Sequence, residues 1–129
     1  MLPGLGDGLK TVGGTALPMA LIYRMFAKDF TVYMFSRRDC LPAGHSTRDM
    51  ARDLKDAMDA LGIEKADILG VSMGGMIAQW LAIDYPDRVG KLILTVTAAR
   101  PNGVLEGSIK EWMEQAKAGE HAALMDSNL

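Results

Sequence analysis

The decisive stretch of the sequence reads Ala66-Asp67-Ile68-Leu69-Gly70-Val71-Ser72-Met73-Gly74-Gly75-Met76-Ile77-Ala78. Its first six residues are mostly aliphatic and predict a strand that ends directly before Ser72. Residues Gly74 to Tyr85 are apolar on most sides, which predicts a buried helix, and Pro86 marks its end. The pattern Gly70-x-Ser72-x-Gly74 therefore lies between a strand and a helix, the setting in which such a serine is held out as a nucleophile.

The spacing of this motif has a chemical reason. A sharp strand-to-helix turn lifts the Ser72 hydroxyl clear of the sheet, with a strained backbone of positive φ at Ser72, and the two glycines leave room for this strain and for close helix packing. The amide of Met73 then stands at the helix N-terminus, where it can donate a hydrogen bond to a developing oxyanion. The alternative interpretation is a glycine-rich turn that contains an incidental serine.

Strands and helices alternate on both sides of this motif, which predicts an α/β fold with a parallel sheet. The strand from Lys91 to Thr97 is apolar almost throughout, as expected of a sheet that carries helices on both faces. The other predicted elements are a strand-like start at Met1-Leu2, a helix from Leu17 to Lys28, a strand from Phe30 to Phe35 and a helix from Ser108 to Ala118. A further helix is predicted between a cap at Ser46 and a stop at Gly62, and its apolar stripe consists of Met50, Leu54, Met58 and Leu61.

Composition excludes several classes of protein. The net charge is -2 over 129 residues, and the cations alternate with acids, so no footprint for nucleic acid is present. The apolar runs are far shorter than the ~20 residues that a membrane span needs, and the first residues lack the features of a signal peptide. Cys40 is the one cysteine, so no intramolecular disulfide can form. We therefore expect a cytoplasmic protein.

The motif and its surroundings resemble the α/β-hydrolase family. The residues that carry the resemblance are Gly70 to Ala78, the following Tyr85-Pro86-Asp87-Arg88-Val89 and Lys91-Leu92-Ile93-Leu94, and the upstream Ser36-Arg37-Arg38-Asp39 and Thr47 to Leu54. The resemblance extends from about Leu2 to Pro101. It implies a partial hydrolase core over residues 1–101, incomplete at both ends, and the start of a lid or cap segment over residues 102–129.

The family's catalytic residues can be carried over only in part. Ser72 takes the place of the nucleophile and Met73 that of one oxyanion donor, while Pro3-Gly4-Leu5 occupies the position of the loop whose backbone supplies the second donor, here the Leu5 N–H. Pro3 stands where the family usually has a histidine in that loop, but a backbone donor does not depend on this side chain. In the family the triad acid and histidine follow the serine. His121 is the one histidine after Ser72, and its place in the lid-like segment disfavours it as the base.

These residues predict a serine hydrolase that acts on an ester or similar acyl substrate. One alternative is a non-catalytic chain, truncated or a pseudo-enzyme, that keeps only a binding cleft. The other is an enzyme on the same fold that transfers the acyl group to another acceptor or splits a C–C or C–halogen bond, the last disfavoured because it needs a carboxylate in place of Ser72. Two separated histidines and one cysteine predict no metal site, and we expect no cofactor because Leu9 replaces the third glycine of a dinucleotide loop. His45 is expected on the surface and Cys40 in a loop. Exposed sheet edges predict self-association.

Overall fold

The computed structural model describes residues 1–4, 16–38 and 40–120. Helices and strands alternate over the second half of this part of the chain, as the sequence predicts. The elements are α1 (Ala16–Tyr23), α2 (Thr47–Ala60), β1 (Ala66–Val71), α3 (Met73–Asp84), a short 3₁₀ turn (Pro86–Arg88), β2 (Val89–Thr95) and α4 (Gly103–Ala118).

The sheet is parallel and has β1 at its centre. β1 pairs with β2 in a register that runs from Ala66 opposite Val89 to Val71 opposite Thr95, with an irregularity between Ala66 and Ile68. On the other side of β1, Leu2 forms a parallel bridge to Gly70. The Leu2 N–H donates to the Leu69 carbonyl at 2.8 Å, and the Val71 N–H donates to the Leu2 carbonyl at 3.0 Å. The strand-like start that the sequence predicts is therefore present as a single bridge.

The predicted strand at Phe30 to Phe35 is wrong, because this segment carries no strand in the structure. It still lies beside the first residues: the Phe35 N–H donates to the Met1 carbonyl at 3.2 Å, and the Met1 ammonium donates to the Tyr33 carbonyl at 2.6 Å. A strand needs a neighbour with a run of backbone groups. Among the described residues, the backbone hydrogen bonds of this segment to the first residues are these two with Met1, which are too few for a ladder.

The predicted helix at Leu17 to Lys28 is shorter than expected, since α1 ends at Tyr23 and turns continue to Asp29. Leu17 and Leu21 are 74% and 58% exposed. A helix gains most of its stability from packing its apolar face, and these side chains find little to pack against. The helix near residue 108 is longer than predicted, because Asn102 caps it through its Oδ1, which accepts a hydrogen bond from the Leu105 N–H at 2.9 Å.

Helices α2 and α3 supply most of the core. Ser46 and Asp49 form the predicted capping box at the start of α2. Arg48 fastens the two helices together through paired hydrogen bonds of 2.8 and 2.7 Å to the Asp84 carboxylate, which lower the pKa of Asp84. The buried apolar residues are Leu2, Ala51, Leu54, Met58, Ile68, Ile77, Ala78 and Leu81. The predicted stripe on α2 is correct except for Leu61, which follows the last turn and is 55% exposed.

Strand β2 is more exposed than its sequence predicts. Leu92, Ile93 and Leu94 are 38% to 50% exposed, whereas an apolar strand is expected under helices on both faces. Within the described residues, β2 pairs with β1 alone, so its outer edge is open.

The chain divides into two compact units, residues 1–98 and 99–129. The first contains the sheet with α2 and α3, and the second contains α4. The expected division after residue 101 and the lid role of residues 102–129 stay predictions. No helix in the part of the chain that the structure describes is long and apolar enough to cross a membrane.

Candidate active site

Ser72 occupies the turn between the end of β1 and the start of α3. Its backbone has φ 53° and ψ -123°, so the positive φ that the motif predicts is confirmed. Few residues other than glycine adopt such a conformation, and it persists only where the surroundings impose it. The side chain is exposed and makes no capping hydrogen bond to α3. The hydroxyl is therefore turned outward and left available.

Hydrogen bonds on both sides hold this turn in place. The Ser72 N–H donates to the Thr95 carbonyl at 2.9 Å, and the Gly75 N–H donates to the Ser72 carbonyl at 2.9 Å. Gln79 adds a side-chain link, because its Nε2 donates to the carbonyls of Gly75 at 3.2 Å and Ala98 at 3.3 Å. The end of β1, the start of α3 and the segment after β2 are thus joined at the serine.

Two glycines permit the close packing at this turn. A Cβ on Gly70 would come within 2.7 Å of the Gly74 carbonyl oxygen and the Gly75 Cα, so α3 rests directly on the strand. A Cβ on Gly74 would lie 2.6 Å from the Leu2 carbonyl carbon and from the Pro3 oxygen. These neighbours are backbone atoms that cannot rotate aside. The motif therefore needs glycine at both positions. This supports the interpretation as a nucleophile elbow, a strand–turn–helix that holds a serine out from the sheet, over that as a turn with an incidental serine.

Met73 is the first residue of α3. The first N–H groups of a helix have no partner within the helix, and the helix dipole adds partial positive charge there. The Met73 amide therefore follows Ser72 directly at the helix start, and its role as an oxyanion donor stays a prediction.

The segment Pro3-Gly4 forms a wall beside the serine. The position of a Cβ on Gly4 is 3.3 Å from the Ser72 Cβ and 3.8 Å from its Oγ. Arg37 holds this segment, because its Nη2 donates to the carbonyl oxygens of Gly4 at 2.7 Å and Pro3 at 3.3 Å. The wall lies where the resemblance places the second oxyanion donor. The candidate itself, Leu5, lies outside the described residues, as does His121.

His45 is predicted to lie on the surface, but its side chain is mostly buried. Its Nε2 lies 2.7 Å from the Asp53 Oδ2, and its side chain is 11% exposed. The cause is the cap of α2 at Ser46, which places His45 over the first turns of the helix, within reach of Asp53. Cys40 lies exposed in its loop as a free thiol, as expected. In the described part of the chain, no three His, Cys, Asp or Glu side chains group to hold a metal ion.

Sequence reasoning missed the role of Arg37 at this site. The stretch Ser36-Arg37-Arg38-Asp39 was a sign of the family, but two adjacent arginines cannot be told apart in a sequence. In the structure, Arg38 is exposed and lies 3.8 Å from Asp53, while Arg37 reaches the wall beside Ser72. The distinction depends on the path of the loop before α2.

Comparison with known proteins identifies the family. The family model for the α/β-hydrolase fold matches residues 1–123, and the chain belongs to this family. A crystal structure of a hydrolase from Pseudomonas aeruginosa PA01 superposes with a TM-score of 0.62 at 23% identity, covering 90% of this chain and 46% of that one. This likeness supports the same fold.

Sequence relatives differ in their chemistry. The "Putative carbamate hydrolase RutD" of Caulobacter segnis is 35% identical over 105 residues, which cover 76% of this chain and 38% of that protein. A 2-hydroxy-6-oxo-6-phenylhexa-2,4-dienoate hydrolase of Comamonas testosteroni is 59% identical over 44 residues, 34% of this chain and 15% of that protein. A homoserine O-acetyltransferase of Thermus thermophilus is 47% identical over 53 residues, 41% of this chain and 14% of that protein. The chain spans less than half the length of each of these proteins.

Proposed function

We propose that the site serves hydrolysis of an ester or similar acyl compound, with Ser72 as the nucleophile. The observation that carries the proposal is the exposed Ser72 hydroxyl on a positive-φ turn at the N-terminus of α3. The hydroxyl makes no capping hydrogen bond to α3, and the backbone strain is stored where chemistry can use it.

The reaction would proceed through an acyl-enzyme. The Ser72 Oγ attacks the carbonyl carbon of the substrate while its proton passes to a general base. The Met73 N–H, with the Leu5 N–H as second donor, stabilises the tetrahedral oxyanion. The intermediate collapses, the leaving group departs with a proton, and the acyl group stays on Ser72. Water then attacks the ester, releases the acid and returns the proton to the serine.

This mechanism needs a general base that takes the proton of Ser72. The residues from 73 to 120 contain no histidine, and the family's acid and histidine follow the serine in sequence. Loss of the base costs a serine triad on the order of 10⁶ in turnover. We therefore expect this chain alone to hydrolyse p-nitrophenyl esters barely above the buffer rate. Robust turnover that Ser72→Ala abolishes would mean that the chain contains a base, with His121→Ala as the next variant.

A second candidate function is acyl transfer to an acceptor other than water. The similarity to a homoserine O-acetyltransferase over 53 residues favours it. Both functions share the attack of Ser72 on a carbonyl and differ in the acceptor that takes the acyl group. The elbow does not select between them, because function depends on the whole site rather than on the fold.

A test of the nucleophile should not depend on a histidine in the chain. The chain is incubated with an alkyl fluorophosphonate, with and without added imidazole as an external base, and the modified peptides are quantified by mass spectrometry. In the reaction the Ser72 Oγ bonds to phosphorus, fluoride leaves and imidazole takes the proton.

The matched control is Ser108, a serine within α4. We expect an adduct on Ser72 that imidazole accelerates, and none in Ser72→Ala. Labelling of Ser72 at the same rate as Ser108, with imidazole present, would contradict the proposal. The same experiment addresses the third possibility, a chain that keeps a binding cleft without chemistry.

A further inference from the structure

We propose that Arg37 is a positioning residue, which orients the Pro3-Gly4 segment so that this wall presents its backbone to an oxyanion at Ser72. This inference rests on the proposed function, since it assigns a role within the same site. It adds a residue that the Gly-x-Ser-x-Gly motif does not include and that lies 35 positions before the serine in the sequence.

The contacts lead from Arg37 to the serine in two steps. One guanidinium nitrogen, Nη2, donates to the Gly4 carbonyl at 2.7 Å and to the Pro3 carbonyl at 3.3 Å. Gly4 in turn lies against the serine, since a Cβ on Gly4 would be 3.3 Å from the Ser72 Cβ.

Peptide geometry gives these hydrogen bonds their effect. A peptide unit is planar and trans, so its carbonyl and the following N–H share one plane and point in opposite directions. By holding the Pro3 carbonyl, Arg37 fixes the plane of the Pro3–Gly4 peptide and with it the direction of the Gly4 N–H. An oxyanion donor must lie within about 2.7–3.1 Å of the oxygen it stabilises, and a rotated plane would lose that alignment.

The arginine suits this task better than a lysine would. The N–H groups of Nη2 lie in the rigid guanidinium plane and hold the two carbonyl oxygens in a defined direction, whereas an ammonium on a flexible stem does not. Arg37 is partly buried, and hydrogen bonds from a charged donor are roughly twice as strong as those between neutral groups. The neighbouring Arg38 is exposed, lies near Asp53 instead and offers a natural control.

The test compares two reactions of one thiol. In the full chain, Cys40→Ser removes the existing thiol and Ser72→Cys introduces one at the elbow. p-Nitrophenyl acetate acylates it: sulfur bonds to the carbonyl carbon through a tetrahedral oxyanion, and p-nitrophenolate leaves. Iodoacetamide alkylates it: sulfur bonds to carbon and iodide leaves, with no oxyanion formed. The ratio of the two rates cancels the reactivity of the thiolate and reports oxyanion stabilisation.

Arg37→Met is expected to lower the acylation rate at least ~10-fold, because removal of one oxyanion donor costs on the order of 10² in related sites. The alkylation rate should change less than ~2-fold, since that reaction forms no oxyanion. Arg38→Met should leave both rates unchanged, and Arg37→Lys should recover part of the acylation rate. If circular dichroism shows that Arg37→Met does not fold, the ratio of acylation to alkylation is compared between Arg37→Lys and the chain that keeps Arg37.

Three outcomes separate the two proposals. Both proposals are supported if the ratio of acylation to alkylation in the chain that keeps Arg37 exceeds that of N-acetylcysteine, and if Arg37→Met lowers this ratio while Arg38→Met does not. A raised ratio that neither Arg37 variant lowers overturns the role of Arg37 and leaves the oxyanion site standing. A ratio equal to that of N-acetylcysteine before any arginine is changed overturns the proposed oxyanion site, and the role of Arg37 with it.

Discussion

The backbone N–H of Ser72 donates a hydrogen bond to the carbonyl oxygen of Thr95 at 2.9 Å. Thr95 is the last residue of β2 and the partner of Val71 in the sheet register. The last residue pair of the sheet and the turn at Ser72 are therefore both held by the end of β2. This hydrogen bond anchors a residue at φ 53°, so the sheet helps to hold Ser72 in its strained conformation.

The strain at Ser72 predicts an unusual order of stability. Glycine adopts a positive φ without the steric cost that a Cβ imposes, and such strain is worth about 1–3 kcal/mol. Ser72→Gly should therefore have a higher free energy of unfolding than Ser72→Ala, by about 1 kcal/mol or more, in urea denaturation. The control is Ala57→Gly inside α2, where glycine should lower the free energy of unfolding by about 1 kcal/mol. Equal stability of the two Ser72 variants would show that the turn relaxes.

Glycine usually destabilises a helix relative to alanine, but close packing at Gly74 predicts that alanine is the less stable residue there. Gly74→Ala would drive a Cβ into the Leu2 carbonyl carbon and the Pro3 oxygen, each 2.6 Å away. Overpacking of this kind costs about 1–3 kcal/mol, and the variant should also lose the Leu2–Gly70 bridge. Gly107→Ala in α4 has nothing within 4 Å of its new Cβ and should gain up to about 1 kcal/mol. Thermal unfolding of both variants checks the pair, and a stabilised Gly74→Ala would contradict the packing.

The capping box of α2 predicts a pH dependence. Asp49 accepts hydrogen bonds from the Ser46 hydroxyl at 2.6 Å and the Ser46 N–H at 3.0 Å, and these lower its pKa from 3.8 to about 2. Because the pKa is lower in the folded state, the stabilisation is present above the unfolded value and is lost as the pH falls through about 2. Ser46→Ala should cost about 1 kcal/mol near neutral pH, and less as the carboxylate is protonated.

Urea unfolding midpoints at several pH values measure this difference. Thr47→Ala is the matched control, because it removes a hydroxyl one residue later that is not the cap. A cost of Ser46→Ala that stays constant down to the lowest pH would show that the Asp49 carboxylate contributes nothing to the cap.

The open edge of β2 predicts self-association. Ile93 is 50% exposed on a strand that pairs on one side alone within the described residues, and such edges pair readily with other chains. Sedimentation velocity should show a mass that rises with concentration. Ile93→Lys should reduce that rise, whereas Ile83→Lys, at a 65% exposed position of α3, should not. A monomer at every concentration, with cooperative unfolding above ~60 °C, would contradict the expectation.

Local sequence was sufficient for the elements whose signals are local. The capping box at Ser46, the strand at Ala66 to Val71 and the helix after Ser72 were all predicted, because caps, aliphatic runs and glycine spacing act over a few residues. The positive φ of Ser72 also followed from its motif, since the close packing of a strand against the next helix permits little else.

Tertiary structure alone decided the rest. The segment from Phe30 to Phe35 has the composition of a strand, yet it forms none, because strand formation depends on a neighbouring backbone that composition does not reveal. The partners of His45 and Arg37 were likewise hidden, since each contact joins residues that the chain path, not the local pattern, brings together. The sequence by itself determined the elbow and the family. Only the packing of Leu2, Gly4 and Arg37 beside Ser72 decided what surrounds this serine, because contacts between distant segments are fixed by where the sheet places them.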